Sequence, residues 1–243
     1  MSVWVCTPSA RPVEHVREWA KPLRERGYKI ALWRDSMDLP YGIVDYIKAG
    51  EYPGFACATN ELIADVSSVR SCDWFVVLTD DTQPDLNHTA DEIAAQCTEH
   101  FKGTFGVMQP TGDRWCDTPN HPDPAMRTAR IERIAGSPWL GLEWCLRSNQ
   151  GRGALYPEFK HMFVDEALWN VARKCGVYWQ RQDLIHLHQH ALRPTAAKPF
   201  PTSADVPDFA RKWYTAEHWQ EAEALFKRLR DEDWAPCMPL EAK

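Results

Sequence analysis

The sequence predicts an α/β fold, a central sheet flanked by helices with a helical extension at the C-terminal end. Three observations predict it. A strand-helix-strand unit opens the chain over Val3–Cys6, Val13–Leu23 and Tyr28–Trp33. The apolar run Trp74-Phe75-Val76-Val77-Leu78 reads as a buried strand and runs straight into the carboxylate pair Asp80-Asp81. Trp219, Ala222, Leu225, Phe226 and Leu229 recur at helical spacing near the end.

Each element follows from its residues. Val3 to Cys6 is short and apolar, and Thr7-Pro8-Ser9-Ala10-Arg11-Pro12 is turn-forming. Val13, Val16, Trp19 and Leu23 mark a helix that Gly27 stops, with Pro22 expected to bend or shorten it. Asn60 to Val69 is expected to be a helix leading into the Trp74 strand. Thr89-Ala90-Asp91-Glu92 has the capping-box pattern, so a helix starts there and runs to about Phe101. Gly106–Gln109 is expected to be a strand, and Pro110–Pro124 a long loop of the kind that often carries function. Gly136–Gly141 reads as a turn before a short helix at Glu143–Arg147, and Ser148–Gly153 as a loop. A helix over Phe163–Cys175 is stopped by Gly176, a strand follows at Val177–Gln180, and Ile185–His190 comes next. Pro194–Pro207 reads as a linker, giving a catalytic body over 1–193 (halves of about 1–110 and 111–193) and an extension over 194–243 that packs on it.

Composition narrows the function classes. At 243 residues and 44% hydrophobic, the chain is long enough for one large α/β domain. The formal charge of −6 and the absence of a Lys/Arg-rich block argue against a general nucleic-acid binder. Eight scattered cysteines without a Cys-x-x-Cys pair indicate free thiols in a reducing compartment, hence a cytoplasmic expectation. No apolar run long enough to span a membrane and no signal-peptide pattern is seen.

The chemistry concentrates in two acid pairs and a histidine run. Asp80 and Asp81 follow a buried strand, where α/β sheets bind ligands. Adjacent carboxylates gain most from a hard divalent cation such as Mn²⁺ or Mg²⁺ on phosphate oxygens, although solvated acids on a turn fit the pattern too. His186, His188 and His190 alternate and share one face if extended. Asp165-Glu166 opens a helix, where acids are favoured electrostatically; the functional alternative is a general base for an attacking hydroxyl. No phosphate-loop, dinucleotide-binding or serine-hydrolase motif occurs.

In their order, these pieces resemble the GT-A type of nucleotide-sugar glycosyltransferase, over about Val3 to His190. The resemblance implies a single Rossmann-like domain with a mixed sheet, a divalent cation (Mn²⁺ or Mg²⁺) and a nucleotide-diphospho-sugar donor, UDP-linked. It places Thr7, Pro8, Ser9, Arg11 and Asp35 at the nucleotide and carries Asn60 as a donor-side residue. Thr79-Asp80-Asp81 corresponds to the family's D-x-D element, with Thr79 where the first Asp usually stands. That departure makes Asp81 the metal ligand, with Asp80 at the metal, the ribose or the sugar. His186 or His188 matches the late metal-binding His. Asp165, with Glu166, matches the base of the acceptor side, and Gly136–Leu140, including Trp139, the segment shaping the sugar pocket. Some bacteriophage enzymes of this architecture glycosylate hydroxymethylated DNA bases, and the chain is similar to that group in general look. The acceptor is then a hydroxyl on modified DNA, or a saccharide or small molecule, with polysaccharide synthesis on a membrane lipid ranked behind both; Trp115, Trp139, Trp144, Trp169 and Trp179 and Arg114, Arg147 and Arg152 are expected near it. The competing readings are a sugar nucleotidyltransferase, a non-catalytic nucleotide-sugar-binding module, and a zinc hydrolase built on the histidines.

Overall fold

The computed structural model describes residues 2–35, 38–69, 71–120, 123–191, 193, 195, 206 and 211–241. The 194–207 linker therefore lies outside the described residues except at 195 and 206. Seven strands form the main sheet: β1 (Val3–Pro8), β2 (Lys29–Arg34), β3 (Tyr46–Ala49), β4 (Trp74–Val77), β6 (Val107–Pro110), β7 (Trp139–Gly141) and β8 (Tyr178–Arg181). Their order is β3-β2-β1-β4-β7-β6-β8. β7 alone among them runs antiparallel to its neighbours β4 and β6. The expected α/β class, with a mixed sheet and a C-terminal helix, is the one observed. A separate ribbon pairs β5 (Thr82–Gln83) with β9 (Leu187–His188), Thr82 opposite His188.

Strict alternation along the strands builds two cores. Val3 and Val5, with Ile30, Leu32, Trp74 and Val76, face α1 (Val13–Glu25) and α3 (Ala90–Phe101). Trp4 and Cys6, with Ala31, Trp33, Phe75 and Val77, face α2 (Phe55–Val69), α4 (Leu142–Gly151) and α5 (Val164–Lys174). Leu229 of α6 (Ala216–Asp231), with Trp234 and Cys237, joins this second core. A sheet covered on both faces needs apolar residues on both, which is why its strands read as continuous hydrophobic runs. All eight cysteines are free. Among the described residues no helix is long and apolar enough to cross a membrane.

Four local details depart from the sequence reading. Pro22 falls in the last turn of α1, and the helix continues to Glu25 unshortened. α2 begins at Phe55, not Asn60. β3 was not anticipated: Tyr46, Ile47 and Lys48 are only half-buried, Ala49 is exposed, and no clean alternation shows. Trp139-Leu140-Gly141, expected as a turn, is a buried strand; a Cβ on Gly141 would stand 1.9 Å from the Thr104 carbonyl oxygen, so a glycine is needed there. The Thr89 capping box is present as expected, with the Glu92 N–H donating to the Thr89 hydroxyl and the Thr89 N–H to the Glu92 carboxylate.

Asn60 also has a different task from the one expected. Its amide nitrogen donates to the Leu155 carbonyl at 2.7 Å and its amide oxygen accepts the Leu155 N–H at 2.9 Å. Gly153 packs so closely that a Cβ there would lie 2.5 Å from the Asn60 amide carbon. Asn60 is thus a latch between α2 and the 153–155 loop. Asn60→Ala leaves two backbone groups of the buried Leu155 unpaired, and should cost about 1–3 kcal/mol of stability in urea unfolding. An unchanged unfolding midpoint would refute the latch.

Candidate functional site

The strand order reverses at β1, between β2 and β4, and the carboxyl ends of all three strands open into one cleft of about 590 Å³. This crevice is where open α/β sheets gather ligands. Pro8, Ser9 and Arg11 enter it after β1, Asp35 after β2, and Thr79, Asp80 and Asp81 after β4. Asp165 and Glu166 enter from the first turn of α5, and His188 from β9.

The Thr79–Thr82 segment is a hydrogen-bonded turn, the Thr82 N–H donating to the Thr79 carbonyl at 3.0 Å. The Gln189 N–H donates to the Asp81 carbonyl at 2.8 Å, stapling this turn to the histidine strand. The Trp19 indole, donating to the Thr82 carbonyl at 2.9 Å, holds it to α1. These bonds deliver His188 Nε2 to 3.2 Å from Asp81 Oδ1, which also accepts the Thr79 hydroxyl at 2.5 Å. Burial would raise the Asp81 carboxyl, but the bond and charge of His188, with the Thr79 bond, hold it well below the ordinary carboxylate range. Asp81 is a committed anion.

His188 is fixed from behind. Its backbone N–H donates to Asp113 Oδ2 at 2.8 Å, and Arg193 pairs with both Asp113 oxygens at 2.6 and 2.7 Å while donating to the His188 carbonyl. The alternation seen in the sequence is real: His186 and His188 are buried, while Ile185 and Leu187 are exposed. Sharing a face did not bring all three histidines to Asp81, however. His186 accepts from the Trp139 indole at 3.4 Å and does not line the cleft. Trp139 itself is fully buried in the core beside Tyr28. His186 and Trp139 are therefore core residues, not metal and donor contacts. Thr7 is likewise buried and turned away from the cleft.

Asp80 differs from its neighbour. Oδ2 accepts the Ser9 hydroxyl at 2.5 Å, and Oδ1 accepts Arg11 Nε at 3.1 Å. Both of its oxygens are thus engaged by the protein's own side chains. The loop carrying Ser9 and Arg11 is held by the buried Arg34, whose guanidinium donates to the Ser9 and Arg11 carbonyls at 3.1 and 2.6 Å. Nothing in the sequence singled out Arg34, which follows the apolar run Ile30–Trp33 at the end of β2.

Hard divalent ions take oxygen and imidazole donors, and one that travels with a phosphate substrate needs only one or two protein ligands. Asp81 and His188 fit that requirement. A zinc site needs three or four protein donors; among the described residues no three His, Cys, Asp or Glu converge. The zinc-hydrolase reading thus lacks a ligand set among the described residues.

Burial and the neighbouring Glu166 push Asp165 well above the usual carboxylate range. Glu166 is held as the anion: the Asp165 hydrogen bond and Arg130, 2.9 Å away, outweigh its burial. Tyr214 lines the same cleft as Asp81 and Asp165, and burial above all pushes its phenol up to about 12. Its hydroxyl meets His190 Nε2 at 3.1 Å. Trp115 packs on His188 at 4.6 Å between ring centres, and Trp213 packs edge-on to Tyr52 at 5.5 Å. Of the five tryptophans expected near an acceptor, Trp115 alone lines the cleft, where Trp213 and Trp219 of the C-terminal extension join it. Arg114, Arg147 and Arg152 do not line it; Arg130 and Lys212 do.

No family model and no curated protein matches this sequence. Among solved structures, S. aureus TarS 1-349 superposes with a TM-score of 0.49 at 9% identity, over 76% of this chain and 59% of that one. S. aureus TarS 1-349 in complex with UDP-GlcNAc gives a TM-score of 0.47 at 11% identity, over 76% and 57%. The chain thus spans less than two thirds of the structures it is similar to.

Proposed function

We propose that this chain is a metal-dependent glycosyltransferase that moves a sugar from a nucleotide-diphospho-sugar, UDP-linked, to an acceptor hydroxyl. The observation that carries the reading is the 3.2 Å approach of His188 to Asp81 at the carboxyl edge of the sheet, in one cleft with Asp165. In this reading Asp81 and His188 hold the divalent ion, which when bound neutralises charge on the leaving diphosphate. Asp35 and Tyr52, which line the cleft together, face the nucleoside. The acceptor oxygen forms its bond to the anomeric carbon as the bond to the diphosphate breaks, and its proton passes to Asp165. Attack from the face opposite the leaving group inverts the configuration. Trp115, Trp213, Trp219 and Tyr214 offer flat faces to an acceptor ring, whether a hydroxymethylated base or a sugar.

A donor panel read by released nucleoside diphosphate tests this, run in Mn²⁺ or EDTA and with or without hydroxymethylated DNA. The expected result is Mn²⁺-dependent UDP release from a UDP-sugar. Acceleration by the DNA identifies a base acceptor, and acceleration only by saccharides identifies the other class. No diphosphate from any donor, or pyrophosphate from a nucleoside triphosphate plus a sugar phosphate, overturns the reading.

A further inference from the structure

Helix α5, which carries Asp165, starts without the usual local devices. Its N-cap is Phe163, whose side chain gives no capping hydrogen bond. An N-cap residue ordinarily takes an extended backbone, but Phe163 is left-handed, with φ 64° and ψ 3°. In that region Cβ crowds the following carbonyl, and a bulky aromatic residue is rarely held there. Six non-glycine residues have positive φ among the described residues, and of these only Phe163 lines the cleft. Backbone strain of this kind persists where the surroundings over-determine it.

The surroundings that do so come from the C-terminal extension. The Phe163 ring packs against Trp219 at 5.0 Å and Phe226 at 5.3 Å between ring centres, both on α6. Phe226 is held in turn by the buried Trp234, at 5.2 Å. The helix begins at once from Phe163, whose carbonyl accepts the Ala167 N–H at 2.9 Å. Asp165 lies two residues on, in the first turn, and its own carbonyl accepts the Ala135 N–H at 3.2 Å. A rotation at residue 163 therefore re-aims the Asp165 carboxyl.

We infer that helix α6 aims the acceptor base: Trp219 and Phe226 clamp the Phe163 ring, and the Phe163 backbone sets the direction of Asp165. This rests on the role proposed for Asp165 above. Phe163 and Phe226 are then positioning residues, and the extension is a working part of the active site. A base must stand within hydrogen-bond reach of the hydroxyl it deprotonates, and a shift of about 1 Å can cost on the order of 10²-fold in rate.

Phe226→Ala and Phe226→Leu test this, since Phe226 does not itself line the cleft. The carbon-13 carboxyl resonance of Asp165, assigned by its loss in Asp165→Asn, reports on that group with no ligand present. Burial and Glu166 raise this carboxyl, and Arg130 lowers it. In Phe226→Ala the titration midpoint should fall toward the ordinary carboxylate range, because a loosened first turn lets water reach the group. Phe226→Leu, which still fills space against Phe163, should restore most of the wild-type midpoint. Turnover of Phe226→Ala should fall on the order of 10-fold, measured with the UDP-sugar and acceptor that the donor panel selects. UDP affinity in Mn²⁺, read by calorimetry, should stay at the wild-type value. Phe163→Gly suits the left-handed backbone while removing the clamped ring, and should show the same two losses if Phe226→Ala does not fold. A carboxyl midpoint that neither variant moves, in a wild type that transfers sugar, overturns this inference alone. Turnover and UDP affinity that fall together with a lowered melting temperature overturn it too, leaving Phe226 a merely stabilising residue. No transfer by the wild type from any donor sinks Asp165 as a base, and this inference with it.

Discussion

Asp165→Asn should lower the turnover number by about 10²- to 10⁴-fold, the range that a positioned general base contributes, and leave UDP affinity close to that of the wild type. The split follows from placement. Asp165 stands at the start of α5, while the Ser9, Arg11 and Asp80 contacts come from the ends of β1 and β4. Removing its charge touches the acceptor's proton, not the donor's phosphates. The pH profile carries a second signature. A base works only when ionised, and a carboxyl raised by burial and by Glu166 stays protonated to a higher pH than an ordinary one. Activity should therefore be lost on acidification at a pH above the usual carboxylate range, and should return as pH rises. Glu166→Gln removes the repelling charge but not the burial, so the acid limb should move to lower pH. Steady-state kinetics against pH on the two variants decides the matter. A Glu166→Gln profile that stays in place, or an Asp165→Asn enzyme with wild-type turnover, removes Asp165 from the chemistry.

What the sequence made legible was the arrangement of strong local signals. The β1-α1-β2 opening, the Trp74 strand ending in acids and the Thr89 cap depend on neighbours within a few residues. They came through because burial on both faces of a sheet writes itself as an apolar run. The Asp81–His188 meeting could be guessed from the order of elements, since both follow strands whose ends face one edge. Which histidine arrives could not: the period of two puts His186 and His188 on the same face, and the choice is made by the β5–β9 register and by Asp113 and Arg193. Asn60 and Trp139 misled for a related reason. A polar or aromatic residue at a promising position carries no mark of whether it faces a cleft or a backbone. Asn60 bonds to Leu155, which comes from a loop far along the chain, and Trp139 lies in a strand too short to show its period. The aromatic side of the cleft was placed too early in the sequence, because Trp213 and Trp219 belong to the extension and reach the cleft only in three dimensions.

Asp81→Ala should abolish the metal-dependent part of donor binding and lower turnover on the order of 10²-fold or more. The fold should survive: the bond that staples this turn to the histidine strand uses the Asp81 carbonyl, not its side chain, and the Thr79–Thr82 turn is also backbone-bonded. Without the carboxylate, His188 is left as a single protein donor, too little to hold a hard ion against water. UDP binding in EDTA should move the other way or stay level, since a buried negative charge near the diphosphate has been removed. The diagnostic quantity is then the ratio of UDP affinities with and without Mn²⁺, large in wild type and near unity in the variant. Calorimetric titration of both proteins measures it directly. A ratio that Asp81→Ala leaves unchanged would mean that the ion sits elsewhere. The approach of His188 would then be an ordinary buried ion pair, which a protein can keep for structural reasons alone.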